Sequence, residues 1–329
     1  MTDLKLAFIG YGKHARANLY PSLNHLGLKL AAIATTHEDS AKRATQEQNV
    51  SNTFTDYRKM IETTKPDAVF VSVQAPQQQG IVLDCLRLGV HVFSEKPLGM
   101  TLNEANEVAQ ISEQTGKTVM VGFMKRYAPA FIKVKNILDS DSLGDVHSLS
   151  QFFATRNICS TPKEYLLFAA IHFIDLLQWY LEDLQEIKGA LKTTESSLLM
   201  SYAGKTRNNA LLSLQYCGSP SWERAAQEMT ITAENGYIRT SGIDKVTLYE
   251  KSQKSTQQKW QMLDENEQTF GTMSSTGAGG LQALYLNGFI GEIDHFIKSI
   301  ENGSDPLTSA KENVKTMGIV EELVNAVEK

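Results

Sequence analysis

The segment Gly10-Tyr11-Gly12-Lys13-His14-Ala15 follows a single short apolar run, residues 4–9, and opens a helical pattern that continues to about Leu26. Few folds need this order of small residues. Gly10 permits a tight turn at the end of a strand. Gly12 lets backbone N–H groups approach a ligand, and Ala15 is small enough for the helix to pack closely on the strand. The helix that begins there aims its positive end back at the turn, which suits a pyrophosphate. Taken alone, the same glycines also fit an ordinary strand-to-helix turn, so the surrounding pattern has to separate the two readings.

That pattern is a repeat of strand and helix. Further apolar runs lie at 28–34, 68–73, 90–94 and 118–121, with polar or amphipathic helical stretches between them. Thr101-Leu102-Asn103-Glu104 reads as a capping box that starts one of these helices. The runs are nearly continuous in apolar residues, as expected of strands buried on both faces of a parallel sheet. Residues 1–122 therefore predict an N-terminal Rossmann domain, a doubly wound parallel sheet of the α/β class.

The rhythm changes in residues 123–329, which predict a second, α+β domain. A helix is expected at 129–138 and another at 160–181, where Leu166, Ile171, Ile174, Leu177 and Leu181 recur at helical steps. Strand-like stretches at 146–154, 185–191, 197–203, 209–217, 227–233 and 236–249 are joined by short connections, which implies a mainly antiparallel sheet. Glu234-Asn235-Gly236 predicts a type I′ hairpin turn between two of them. Residues 251–280, polar and then Gly/Ser-rich, read as a solvated loop or as a mobile flap over a cleft. Two helices close the chain. Phe289, Ile293, Phe296, Ile297 and Ile300 line one face of the first, and the capping box Ser309-Ala310-Lys311-Glu312 opens the second.

Composition excludes several classes of function. Across 329 residues, 42% are hydrophobic and 21% charged, with a net charge of −5, which is ordinary for a globular protein and wrong for a general nucleic-acid binder. No apolar run approaches the ~20 residues that cross a bilayer, and the chain enters a strand almost at once, so the expectation is a cytoplasmic protein without a secretory signal. Cys85, Cys159 and Cys217 are sparse and unpatterned, and the seven histidines form no metal-ligand spacing, so no metal site is expected.

The chemistry concentrates some eighty residues after the glycine turn, at Ser94-Glu95-Lys96-Pro97-Leu98, which follows the fourth apolar run. Hydride transfer to a carbonyl leaves an alkoxide that must be stabilised and protonated, and a lysine placed at a strand end can supply both cation and proton. Thr35 stands where NAD sites usually place the acid that holds the ribose diol. A hydroxyl does not repel a 2′-phosphate, Thr36 can hydrogen-bond to one, and Lys42 or Arg43 lies nearby. The cofactor expectation is therefore NAD(P), leaning to NADP. Gln74, Ala75 and Pro76 end the third strand, where backbone approaches the nicotinamide half.

Four segments together, Gly10-Tyr11-Gly12-Lys13-His14-Ala15, Glu95-Lys96-Pro97, Gly122-Phe123-Met124-Lys125-Arg126-Tyr127 and Ile171-His172-Phe173-Ile174-Asp175, resemble the Gfo/Idh/MocA family (glucose-fructose oxidoreductase, inositol dehydrogenase and relatives). The stretch 218–237 and the Gly288-Phe289 helix extend the resemblance over nearly the whole chain. It implies a large open sheet in the second domain, one face of it buried in a homodimer or homotetramer. It implies NAD(P)-dependent oxidoreduction of a sugar, polyol or related small carbonyl compound. Lys96 and His172 are the implied catalytic pair, with Asp175 and Arg156 as further substrate contacts. Cofactor contacts are implied at Gly10, Tyr11, Gly12, Lys13, His14, Ala15, Thr35, Thr36, Gln74, Ala75, Pro76, Glu95, Lys96, Pro97 and Arg126.

The chain departs from that family at one position. Where many members carry an aspartate four residues before the histidine, this chain has Phe168. Either Lys96 and His172 suffice, or Asp175 or Glu164 substitutes, or turnover has been lost. The rivals to a dehydrogenase are thus a dinucleotide-binding regulatory or accessory protein and an NAD-dependent glycoside-cleaving relative.

Overall fold

The computed structural model describes residues 2–156, 159–251, 266–272 and 280–328. The five apolar runs of the first half become strands of one parallel sheet: β1 (Leu6–Ile9), β2 (Leu30–Ala34), β4 (Ala68–Val71), β5 (His91–Ser94) and β6 (Val119–Val121). A sixth strand, β3 (Thr53–Phe54), pairs with β2 through Ile33 and Ala34. The order is β3-β2-β1-β4-β5-β6. Strand order reverses between β1 and β4, and in doubly wound sheets a ligand crevice opens at that point. Every residue of β1 and β4 is buried, which is why their sequences are uninterrupted apolar runs.

The chain folds into two compact units, and the division differs from a boundary at 122/123. Residues 123–127 and the returning segment Gly280–Gly318 group with the first unit, and Ala128–Gly279 with Ile319–Lys329 form the second. The returning helix Phe289–Asn302 explains the difference. Phe296 meets Phe70 of β4 and Phe93 of β5 edge-on, with ring centroids 5.4 and 5.8 Å away. Phe70 also stacks on Phe8 of β1 at 5.9 Å. Each such buried ring contributes about 2–3 kcal/mol of transfer free energy. Arg126 is fully buried and donates to the Leu307 carbonyl and to Glu312, each at 3.2 Å, tying the turn after β6 to the same segment.

The second unit is built on an eight-stranded sheet: β7 (Val146–Thr155), β8 (Leu184–Thr193), β9 (Leu198–Thr206), β10 (Leu211–Gly218), β11 (Ala226–Ala233), β12 (Gly236–Ser241), β13 (Lys245–Glu250) and β14 (Glu267–Gly271). Its order is β14-β13-β12-β11-β7-β10-β9-β8, and only the β7–β10 pairing is parallel. Burial alternates along β9 and β10, so one face is core. The other carries Leu199 and Leu211, 40% and 63% exposed, among serines and Gln215.

Three local expectations are corrected. The stretch 236–249 is two strands, because Gly242 takes a left-handed φ of 68° and turns the chain. The β11–β12 turn is not type I′: Glu234 and Asn235 form the loop, neither Asn235 nor Gly236 has a positive φ, and Gly236 already pairs with Ala233. Gly236 is needed for another reason, since a Cβ there would stand 2.0 Å from the Tyr249 carbonyl oxygen. Finally, β14 lies inside the polar stretch expected as a loop or flap, most of whose remainder, including residues 274–279, lies outside the described residues.

Candidate active site

The glycine turn is held by backbone bonds on both sides. Gly10 N–H donates to Ala34 O at 2.8 Å, and the Tyr20 hydroxyl donates to Gly10 O at 2.9 Å. The two glycines meet different surroundings. A Cβ at Gly10 would collide with Ser72, whereas one at Gly12 has nothing within 4 Å. Gly12 therefore faces open space. Ala15 is fully buried at the start of the helix, as close helix–strand packing requires.

That space is a cleft of about 1010 Å³ in the first unit. Gly10, Tyr11, Gly12, Lys13 and His14 line one part, Thr35, Thr36, His37 and Ser40 another, and Ser72, Val73, Gln74 and Gln77 a third. Its position at the carboxyl ends of β1, β2 and β4 and the bare backbone at Gly12 fit an extended dinucleotide, with its pyrophosphate at the helix start. Gln74 stands at the N-cap position of the helix Ala75–Arg87 without a side-chain capping bond, and the first turn holds Ala75 and Pro76. The Thr35 hydroxyl is already engaged, donating to the His37 carbonyl at 2.9 Å, while Thr36 is exposed. The lining also brings in Arg58, which sequence reasoning missed. Arg58 follows the two-residue strand β3, packs over the Tyr57 ring at 4.9 Å and pairs with Asp84.

The Glu95-Lys96-Pro97 segment lies where β5 ends, with a cis Lys96–Pro97 bond. Gln78 donates to the carbonyls of Glu95 and Pro97 and so fixes the backbone on either side of Lys96. The Glu95 carboxylate accepts from His14 Nε2 at 2.8 Å and from the Lys96 amide at 3.2 Å. Burial alone would push the His14 imidazole down, but the Glu95 hydrogen bond and charge outweigh it and hold His14 above its ordinary value, against the Lys96 cation. Lys125 is buried in the turn after β6. Burial, together with the Lys96 cation, lowers it from 10.5 to about 7. Buried lysines brought near neutrality are typical of functional sites. Arg126, expected as a cofactor contact, is buried and bonded to residues 307 and 312.

In the second unit, His172 and Asp175 are both buried on the helix Ile171–Leu181, three residues apart and so on one face. A π-helical turn, Leu166–Ala170, holds Phe168 just upstream, where regular helix was expected. Such turns occur often at functional sites. Gln151 of β7 donates to the Phe173 carbonyl at 3.1 Å and accepts from the Tyr216 hydroxyl at 3.0 Å, anchoring the turn that carries His172. Glu164 accepts from the Ser160 amide at 2.8 Å and acts as a helix cap. Arg156 is exposed just after β7.

Residues 4–123 match the family described as an oxidoreductase family with an NAD-binding Rossmann fold. An inositol 2-dehydrogenase/D-chiro-inositol 3-dehydrogenase of Halalkalibacterium halodurans is 30% identical over 188 residues, 55% of this chain and 53% of the relative. An inositol 2-dehydrogenase of Salmonella paratyphi B is 27% identical over 192 residues, 56% and 57%. The chain thus spans just over half the length of these relatives. The same fold recurs in a dehydrogenase from Chromobacterium violaceum, with a TM-score of 0.88 at 18% identity over 99% of this chain and 95% of that one. It recurs in an Agrobacterium radiobacter oxidoreductase in complex with NAD+, L-tartaric acid and magnesium, with a TM-score of 0.81 at 16% identity over 100% and 97%. The glycine turn, the cleft beside it and these likenesses agree with the resemblance read from the motifs: residues 4–123 match the NAD-binding Rossmann fold of the Gfo/Idh/MocA oxidoreductase family.

Proposed function

We propose that the protein is an NAD(P)-dependent oxidoreductase acting on a CH–OH group of a sugar, polyol or related small carbonyl compound. The observation that carries this reading is the cleft at the β1/β4 reversal, open at Gly12, together with a lysine held at the adjacent end of β5. When bound, a nicotinamide dinucleotide supplies the hydride acceptor or donor. Gly12, the helix start and residues 72–74 hold it. Lys96 polarises the reacting oxygen and exchanges its proton, and His172 is the second proton-transfer group, with Asp175 and Arg156 as substrate contacts. The division of labour gives cofactor binding to the first unit, and substrate binding and homo-oligomer assembly to the second. The exposed Leu199 and Leu211 on the bare sheet face support such an assembly.

The cofactor preference we assign is NADP. Thr35 and Thr36 replace the acid that would repel a 2′-phosphate, and Arg58 lines the same end of the cleft. Titrating both cofactors against the apo protein tests this, and tighter binding of NAD overturns it. Inositols, other polyols and aldoses, assayed by absorbance of the reduced cofactor, test the reaction. Lys96→Met should lower turnover by about two orders of magnitude or more while cofactor still binds. Phe168 favours one rival reading, a dinucleotide-binding protein without turnover. Binding with no reaction across the panel would select it.

A further inference from the structure

His14 lies between the dinucleotide turn and the lysine at the end of β5, and both nitrogens of its ring are engaged. Nε2 donates to Glu95 Oε1 at 2.8 Å, and Nδ1 accepts from the Asn18 side-chain amide at 3.2 Å. Asn18 is four residues on and therefore shares a helix face with His14. Its bond decides which nitrogen carries the proton: an accepting Nδ1 leaves the N–H on Nε2, where Glu95 takes it. Phe289 meets the ring edge-on at 5.8 Å. The imidazole thus lines the cleft with both ring nitrogens already bonded to protein groups.

Glu95 passes the constraint on. It is buried, and its second oxygen, Oε2, accepts from the Lys96 amide at 3.2 Å. A carboxylate held at one oxygen by a ring N–H fixes, with the other, the peptide N–H that leads into Lys96. The surrounding space is tight, since even a Cβ at Gly122 would stand 3.3 Å from Oε2. The Glu95 carbonyl is anchored separately. Gln78 donates to it, and so does the Ser94 hydroxyl, at 3.1 Å. The main chain of Glu95 is therefore held without His14, and its carboxylate is what depends on the ring. Removing the ring would leave a buried charge short of a partner, which drives such a group to move or to take up a proton.

We propose that His14 is a positioning residue: through the Glu95 carboxylate it fixes the backbone at Lys96, and so couples the dinucleotide turn to the placement of the lysine. His14 itself passes no proton to a substrate. The turn suited to a pyrophosphate is then the same turn that sets Lys96. A reacting group misplaced by about 1 Å can cost about two orders of magnitude in rate, so one hydrogen bond that sets its backbone has a large effect. This role deepens the function proposed above and rests on it.

The test has two arms, with His14→Gln and His14→Leu as variants. Glutamine keeps an N–H that can reach Glu95, whereas leucine fills similar space without a donor. In the apo protein, hydrogen exchange at the Lys96 amide, followed by NMR, should be about tenfold faster in His14→Leu than in wild type and within about twofold of wild type in His14→Gln. Equal exchange in wild type and His14→Leu overturns the proposal. If the leucine variant does not fold, NMR of the isotope-labelled wild-type ring decides: a neutral His14 with its proton on Nε2 is expected, and one with its proton on Nδ1 overturns the proposal. The second arm is steady-state kinetics with NADP and NAD over the polyol and aldose panel. His14→Leu should lower kcat about tenfold or more with the cofactor KM within about threefold, and His14→Gln should recover most of that loss. A raised cofactor KM with kcat unchanged would make His14 a cofactor contact and overturn the proposal. If wild type turns over nothing in the panel, the proposed function fails, and the exchange arm still decides whether His14 holds Lys96.

Discussion

Gly10 and Ser72 approach so closely that a Cβ on Gly10 would stand 2.0 Å from the Ser72 carbonyl oxygen, with Gly10 at a φ of 113°. Gly12, two residues on, meets nothing. The two glycines should therefore fail differently. Gly10→Ala should lose about 2–4 kcal/mol of stability in denaturant melts. Gly12→Ala should melt within about 0.5 kcal/mol of wild type yet bind cofactor at least about tenfold more weakly, because its methyl takes up the space of the pyrophosphate approach.

Arg58 lines the cleft with Thr35 and Thr36 and is paired with Asp84, and under the proposed NADP preference its guanidinium would meet the 2′-phosphate. Arg58→Ala should raise the NADP dissociation constant about tenfold or more and leave NAD nearly unchanged, since only the 2′-phosphate can take a charge-assisted bond there. Asp84→Asn should tighten NADP selectively. Fluorescence titration with both cofactors measures each effect.

Arg126 is buried, and Glu312 is its carboxylate partner. Burial opposes ionisation of Glu312, but Lys315 and Arg126 outweigh it and hold the carboxyl below its ordinary 4.5. A depressed acid stabilises the fold above its unfolded-state value, and that contribution is lost as pH falls through the folded one. Glu312→Ala should destabilise by about 2 kcal/mol at neutral pH. Its deficit against wild type should shrink in melts taken at increasingly acid pH.

Lys125 binds fewer protons folded than unfolded between about 7 and its ordinary 10.5. Its burden on stability is therefore full below pH 7 and is relieved as pH rises through that window. The stability of wild type relative to Lys125→Met should climb from pH 7 toward 10. Removing the like charge with Lys96→Met should raise the Lys125 value, which NMR of isotope-labelled lysine side chains would follow.

Legibility followed the length and periodicity of each signal. β1 and β4 were readable because all four residues of each are buried, leaving unbroken apolar runs. The capping boxes at 101–104 and 309–312 were readable because the Thr101 and Ser309 hydroxyls do accept the Glu104 and Glu312 amides. β3 spans two residues, too few for a period, so Arg58 behind it was invisible. The π-turn at 166–170 keeps a helical apolar spacing and hides its extra residue. What no local pattern carries is partnership across long separations, such as His14 with Glu95 or Arg126 with Glu312.

The return of residues 280–318 to the parallel sheet has a consequence for anyone dissecting the molecule. A fragment ending at Tyr127 would uncover Phe70 and Phe93 where Phe296 now lies, and would strand Arg126 without Glu312. The nucleotide-binding half is a discontinuous piece, finished only after the polypeptide has left and come back. Expressed alone it should aggregate, whereas a graft joining residue 127 to residue 280 through a short linker should yield a soluble miniature.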